Sequence, residues 1–314
     1  MGLEFMLKQD KNNDENYFAE QPNIISSKFA PPKPPAALIT RFTLSVILKE
    51  IDLKNFVMIT APAGYGKTTL LNQLKNDLLK TGKKVTWLSL DENDTRISQF
   101  ITYLIKSLHF VGIPIGDAAL AAYQKPSKTQ LEDFRNCFIN EIHAYKTPIV
   151  VILDDLHYIK NNKIVELIDE LISYAPPNLC IVIASRHEPS LSTSRYRIHG
   201  TMIEINYKEL KFSYEEAHNF IQRTLESPED DYSLSRRLYE FTDGWVAALQ
   251  LAMISVKNSD NVDRLLDSYK GSKTQLSEFL YTDVLSSLPE DIITFLSKTS
   301  ILRDMNADLC MVVR

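Results

Sequence analysis

The chain has 314 residues, 44% of them hydrophobic, with a net charge of −5 and a pI near 5.8. That length supports one large core or two to three domains, and the acidic balance argues against a general nucleic-acid binder by bulk charge. No stretch approaches the roughly 18 apolar residues of a membrane span, and the polar, acidic start is not a signal peptide.

Residues 6–30 are polar and read as a mobile segment, with Met6 a candidate native start. Pro31-Pro32-Lys33-Pro34-Pro35 reads as a stiff extended connector, so that 1–36 forms a flexible segment and linker. From residue 37 to 206, apolar runs alternate with helical patterns. The runs Phe56–Thr60, Val85–Leu90, Ile149–Leu153, Cys180–Ala184 and Met202–Ile205 read as strands, with helices near 67–80, 97–110, 129–145 and 162–174. Such alternation predicts an α/β fold, a parallel sheet sandwiched between helices. The runs near 149 and 180 are almost wholly apolar, as central strands covered on both faces should be.

The first strand feeds Ala61-Pro62-Ala63-Gly64-Tyr65-Gly66-Lys67-Thr68-Thr69, and then a helix with Leu70, Leu71, Leu74 and Leu78 on one side. Strand, glycine-rich turn, Lys-Thr and helix together form the P-loop pattern, with Ala61 in place of its first glycine. Phosphates suit this turn because a helix start offers free N–H groups and a positive dipole end. Gly64 and Gly66 let the backbone curl so that successive N–H groups point inward. Lys67 would reach the β- and γ-phosphates, and the Thr68 hydroxyl would ligate Mg²⁺. ATP or GTP binding is therefore the first expectation.

Leu88-Ser89-Leu90-Asp91-Glu92-Asn93-Asp94 closes the second strand with three acids. They either lie near the nucleotide edge or cap the next helix, with Asp94 or Thr95 as N-cap. Ile149–Leu153 ends in Asp154-Asp155. With a P-loop upstream, Asp154 would touch or flank Mg²⁺, and Asp155 would orient or deprotonate an attacking water. His157 follows and reads as a packing residue, with contact to phosphate or to the helical domain as the alternative. The strand 180–184 ends in Ser185-Arg186, and its tip is placed for Arg186 to report a γ-phosphate. The cysteines Cys137, Cys180 and Cys310 form no metal or redox spacing, which fits a reducing cytoplasm.

Beyond about residue 206 strand signals stop, and helices are expected at 213–225, 232–241, 244–257, 262–269, 273–287 and 289–298. Ser213-Tyr214-Glu215-Glu216 forms a capping-box signature, and Pro289 sits early in the last helix. The apolar end Cys310–Arg314 carries no helix stop and reads as the edge of a longer protein.

Taken together, the loop at 61–69, Trp87–Glu92, Leu153-Asp154-Asp155-Leu156-His157, Thr242-Asp243-Gly244-Trp245 through Leu251, and Leu276–Leu280 with Ser300–Arg303 resemble the MalT-type activators. These are large ATP-binding regulators of the LuxR family, within the STAND class of signalling ATPases. The resemblance runs from about residue 27 to the end, and the Gly-Trp stretch is its most specific part. It implies a nucleotide-binding domain over 37–206, a small helical domain over 207–270, and the start of a winged-helix domain over 271–314. By carry-over, Ala63, Gly64, Tyr65, Gly66, Lys67, Thr68 and Thr69 hold phosphates and Mg²⁺, Asp154 and Asp155 are the acidic pair, and Arg186 is the sensor. Ile39 and Arg41 flank the adenine. Gly244-Trp245 stands where related ATPases carry a Gly-x-Pro turn, and this chain has no proline there. The resemblance further implies an ADP-bound closed resting form. An inducer, a small molecule or a protein, and ATP favour self-association and transcription activation, and slow hydrolysis resets the switch. DNA is bound only through a C-terminal domain outside this sequence. The other reading left open is a stand-alone P-loop enzyme, a kinase or a transport ATPase.

Overall fold

Runs with almost no polar side chain can be covered on both faces only as central strands of a parallel sheet. The computed structural model, which describes residues 24–34, 38–225, 232–257 and 289–300, places them so. The strands are β1 (Phe56–Thr60), β2 (Lys84–Ser89), β3 (Ile149–Asp154), β4 (Leu179–Ser185) and β5 (Met202–Asn206). They form one sheet in the order β2-β3-β4-β1-β5, and every pairing is parallel. β3 and β4 are buried along their whole length, whereas the edge strand β5 exposes Glu204.

Alternation along each strand splits the core into two layers, because successive side chains point to opposite faces. Phe56, Met58, Val151, Leu153, Ile181 and Ile183 enter one layer, with α3 (Ile97–Phe110), α5 (Gln130–Ala144) and α6 (Asn162–Ser173). Val57, Ile59, Val150, Ile152, Cys180 and Val182 enter the other, with α1 (Phe42–Glu50) and α2 (Lys67–Lys80). The helix α4 (Asp117–Gln124) and the short helices α7 (Thr193–Ile198) and α8 (Tyr207–Leu210) complete this unit, which ends at Phe212. The sequence pattern did not show α1, α4 or α7. All are short, and their apolar positions face the core only once neighbouring elements are in place.

A second compact unit begins at Ser213. It contains α9 (Tyr214–Leu225), α10 (Tyr232–Thr242), α11 (Val246–Lys257) and α12 (Glu290–Thr299). The capping box of α9 is formed in both directions: the Ser213 N–H donates to Glu216 Oε2 (2.9 Å) and the Glu216 N–H to Ser213 Oγ (3.1 Å). Asp243 and Gly244 turn the chain between α10 and α11 in left-handed conformations, so α11 starts at Val246 rather than at Gly244. Pro289 is the cap of α12, one residue ahead of the helix. The helices expected at 262–269 and 273–287 lie outside the described residues, as does most of the expected winged-helix start at 271–314.

One expectation fails in the first unit. The stretch read as mobile includes residues 26–29, which form a 3₁₀ turn with Phe29 completely buried. Its ring meets Tyr103 and Phe110 of α3 at 5.8 and 5.6 Å between centroids. Burial of that one ring contributes about 2 kcal/mol, enough to hold a short segment that looks polar in sequence.

Gly116 opens α4 with φ +106°, and a Cβ there would stand 2.9 Å from Ile105 Cγ1 in α3. Gly116→Ala should therefore destabilise the first unit by about 1–3 kcal/mol, through backbone strain and overpacking. A lowered urea midpoint at unchanged slope would register it.

Candidate nucleotide-binding site

The C-terminal ends of β1, β3 and β4 meet at one edge of the sheet. That edge is where open α/β sheets bind ligands, because the loops leaving parallel strands all gather there. The loop after β1 is pinned at its start, where the Ala61 N–H donates to the Ser185 carbonyl at the end of β4 (3.2 Å). Gly64 and Gly66 then take φ of 79° and 82°, a left-handed region that glycine enters without penalty. Gly66 caps α2 and has no side chain to satisfy the first-turn N–H groups, which leaves them available to an anion.

Lys67 and Thr68 open α2. Lys67 is 7% exposed, and its ammonium donates to the carbonyls of Ala61 (2.7 Å) and Pro62 (3.0 Å). Burial pushes the Lys67 pKa down and Arg186 adds to this, while Asp155 and Asp154 oppose it. The Thr68 hydroxyl donates to Asp154 Oδ2 (2.8 Å), and the Asp155 N–H donates to Asp154 Oδ1 (3.0 Å). Asp154 is 2% exposed, and burial followed by the charge of Asp155 raises its pKa to about 7, against the pull of Thr68 and Lys67. Asp155 is also raised by burial, against Lys67 and Arg186. It holds φ 60°, a conformation that costs a non-glycine residue energy and that aspartate tolerates better than most.

Near this cluster both ring nitrogens of His157 and Ser185 Oγ are buried and have no hydrogen-bond partner among the described residues. His157 Nδ1 stands 3.7 Å from Asp155 Oδ1. Its pKa falls to about 4, first through burial and then through the charges of Arg186 and Lys67. His157 therefore stays neutral at physiological pH. A buried imidazole with no hydrogen-bond partner among the described residues is a costly arrangement. The ring also packs as the sequence suggested, 4.3 Å from the Tyr158 ring and 6.1 Å from that of His187 between centroids.

A cleft of roughly 510 Å³ opens beside the cluster, lined on one wall by Thr68, Ser89, Asp154 and Asp155. Thr68 and Asp154 offer the hard oxygen donors that Mg²⁺ takes, and the excess of buried carboxylate favours a cation there. Tyr65 of the loop meets Tyr207 edge-on, at 6.0 Å between centroids, and Thr69 follows Thr68 in the first turn of α2. Ile39 and Arg41 lie elsewhere along α2, toward Gly66. The Ile39 carbonyl accepts from Gln73 Nε2 (2.9 Å), and Arg41 Nη1 is 3.9 Å from the point where a Cβ on Gly66 would sit. The Arg41 guanidinium donates to the carbonyls of Leu210 and Lys211 and stacks on Phe212, so it also braces the end of α8.

Asp91 and Asp94 do not cap the next helix. Asp94 and Asp91 bind Lys28 at 2.6 and 2.9 Å. Helix α3 starts after Arg96 with no side-chain cap. The partner that claims these acids lies more than sixty positions upstream, too far for any local reading of the strand end.

Fold and site together define a P-loop nucleotide-binding ATPase. Residues 44–251 match the ATPase_2 family, an ATPase domain predominantly from Archaea, and the chain belongs to that family. It is also similar to two proteins named HTH-type transcriptional regulator MalT. Identity is 33% over 291 residues with that of Klebsiella pneumoniae and 31% over 285 residues with that of Yersinia pestis. Each similarity covers 90% of this chain, and the chain spans 31% of the length of those relatives. Among solved structures, the Walker-type ATPase PABY2304 of Pyrococcus abyssi shares the fold, with a TM-score of 0.54 and 13% identity over 85% of this chain and 80% of that one. Among the described residues no helix is long and apolar enough to cross a membrane.

The low pKa of His157 makes a pH prediction. The unfolded chain protonates this ring near pH 6.5, while the folded chain refuses the proton until about 4. The associated stability is complete above pH 6.5 and drains away as pH falls toward 4, by up to about 3 kcal/mol. His157→Gln should remove that part of the acid sensitivity, visible as a flatter dependence of the denaturation midpoint on pH between 7 and 4.

Proposed function

We propose that this chain is the ATP/ADP-binding switch module of a cytoplasmic bacterial transcription regulator. The observation that carries the reading is the junction of Lys67, Thr68, Asp154 and Asp155 at the tips of β1 and β3, beside a glycine turn that frees the first N–H groups of α2. The N–H groups of residues 63–69 would cradle the phosphates, with Lys67 leaving its two carbonyl partners to meet them. Thr68 and Asp154 would hold Mg²⁺, which supplies charge neutralisation between the β- and γ-phosphates when bound. Ile39 and Arg41, fixed to α2 through Gln73, would border the base.

For hydrolysis, Asp155 orients a water toward the γ-phosphorus and accepts its proton as the oxygen–phosphorus bond forms. The bond to the β–γ bridging oxygen breaks, and its electron pair leaves with ADP. Burial raises the basicity of Asp155 above that of an exposed carboxylate, which suits a general base. Arg186, whose charge reaches Lys67, Asp155 and His157, would report the γ-phosphate.

Such a site distinguishes ATP from ADP by one phosphate, and a difference in contacts of that kind can bias a two-state protein. In this reading ADP favours a closed resting form. ATP with an inducer favours self-association, slow hydrolysis resets the switch, and DNA is reached through a further domain of the regulator. The similarity to MalT proteins over most of the chain supports a regulator above a stand-alone kinase or transport ATPase.

Calorimetry should detect micromolar or tighter binding of ADP and ATP, and no heat from either would refute the reading. Lys67→Ala should abolish ATP binding. Asp155→Ala should keep binding while hydrolysis falls by about 10²–10⁴-fold. Arg186→Ala should shrink the difference in oligomeric state between ATP and ADP seen by light scattering, and an unchanged difference would remove Arg186 as the sensor.

A further inference from the structure

The cleft lined by Thr68, Asp154 and Asp155 is lined as well by Ser27, Ala30, Pro31, Pro32 and Lys33, from the segment ahead of the α/β pattern. This strap is fixed at three points. Phe29 is buried in the core. Lys28, only 8% exposed, pairs with Asp94 at 2.6 Å and with Asp91 at 2.9 Å. Asn72 Nδ2 donates to the Pro32 carbonyl at 3.2 Å.

Two of these anchors lead directly into the metal side of the site. Asn72 stands one helical turn after Thr68, on the same face of α2, so the residue that holds the strap and the residue that binds Asp154 are neighbours. On the other side, Lys28 grips Asp91, and the adjoining Leu90 N–H donates to the Asp154 carbonyl (3.0 Å). Burial works against the charge of Lys28, yet Asp94 and Asp91 outweigh it and hold its pKa above the usual lysine value, so the ion pair persists through neutral pH. Breaking a buried pair leaves an uncompensated charge, which makes the pair an effective lock.

We infer that the segment Ile24–Pro34 is a fixed wall of the Mg²⁺ and γ-phosphate flank, and that Lys28 is the positioning residue that holds it there. The inference rests on the nucleotide-site reading above. Prolines 31 and 32 make the wall stiff, and a stiff wall narrows solvent access and strengthens every charge interaction inside the cleft. Thr68 and Asp154, the residues proposed to hold Mg²⁺, line this cleft, and residues 63–67 do not, so the strap acts on the metal side of the site.

The test compares Mg-ATP binding with ADP binding in EDTA, by calorimetry on the whole chain, for wild type, Lys28→Met and Asn72→Ala. Asn72→Ala removes only the Pro32 contact and serves if Lys28→Met does not fold. Both variants should weaken Mg-ATP binding by roughly tenfold, the scale of losses from residues behind metal ligands, and leave ADP binding in EDTA unchanged. Unchanged Mg-ATP affinity in the folded variants, or equal weakening of both ligands, would overturn the inference while leaving the site reading intact. Wild type that binds neither nucleotide would sink the site reading and this inference with it.

Discussion

The hydrogen bond from Thr68 to Asp154 joins two strands that are not neighbours. β1 delivers Thr68 through the glycine turn, β3 delivers Asp154 at its last residue, and β4 lies between them. The bond forms only if the sheet is parallel with all strand ends at one edge, and only if β1 and β3 keep their register across β4, with Met58 and Leu153 both opposite Ile183. The aliphatic runs of β1, β3 and β4 enforce that register, because a slip by one residue would turn every side chain to the opposite core layer. The two-layer core is thus the reason the hydroxyl and the carboxylate meet.

The site concentrates features that a stable core otherwise avoids. A carboxylate with 2% exposure sits beside a second carboxylate in a left-handed conformation. A buried lysine is held between carbonyls, and an imidazole and a serine hydroxyl have no hydrogen-bond partner among the described residues. Each costs folding energy, and proteins tolerate such costs mainly where function requires them. The charges also explain one another. Burial raises Asp155 against the pull of Lys67 and Arg186; burial, joined by the charge of Asp155, raises Asp154; and burial, joined by Arg186 and Lys67, suppresses protonation of His157. A cluster of this kind responds as a unit to any added anion or cation.

The N-terminal strap extends the same logic outward. Its lysine satisfies two acids that follow β2, and its prolines face the acids that end β3. The edge of the sheet farthest from β5 is therefore closed by chain from before the first strand. On the other side of α2, Arg41 ties the residues just before α1 to the end of α8. Both flanks of α2 are thus fixed by segments distant in sequence.

The strands, the P-loop, the acidic pair and the Arg186 strand tip were legible from local pattern, since period-two alternation, glycine spacing and acids at strand ends depend on neighbouring residues alone. The capping box at Ser213–Glu216 was legible for the same reason. Only the tertiary structure decided what long-range pairing determines. It gave Asp91 and Asp94 to Lys28 in place of a helix cap, ordered a segment that reads as mobile through one buried ring, and formed α1, α4 and α7 against surfaces made by other elements. It also buried the His157 ring beside Asp155 with no hydrogen-bond partner among the described residues. Composition and periodicity report which residues seek burial or a partner. Which partner each finds is fixed by the fold, because the competing choices are equally good in sequence and differ only in space.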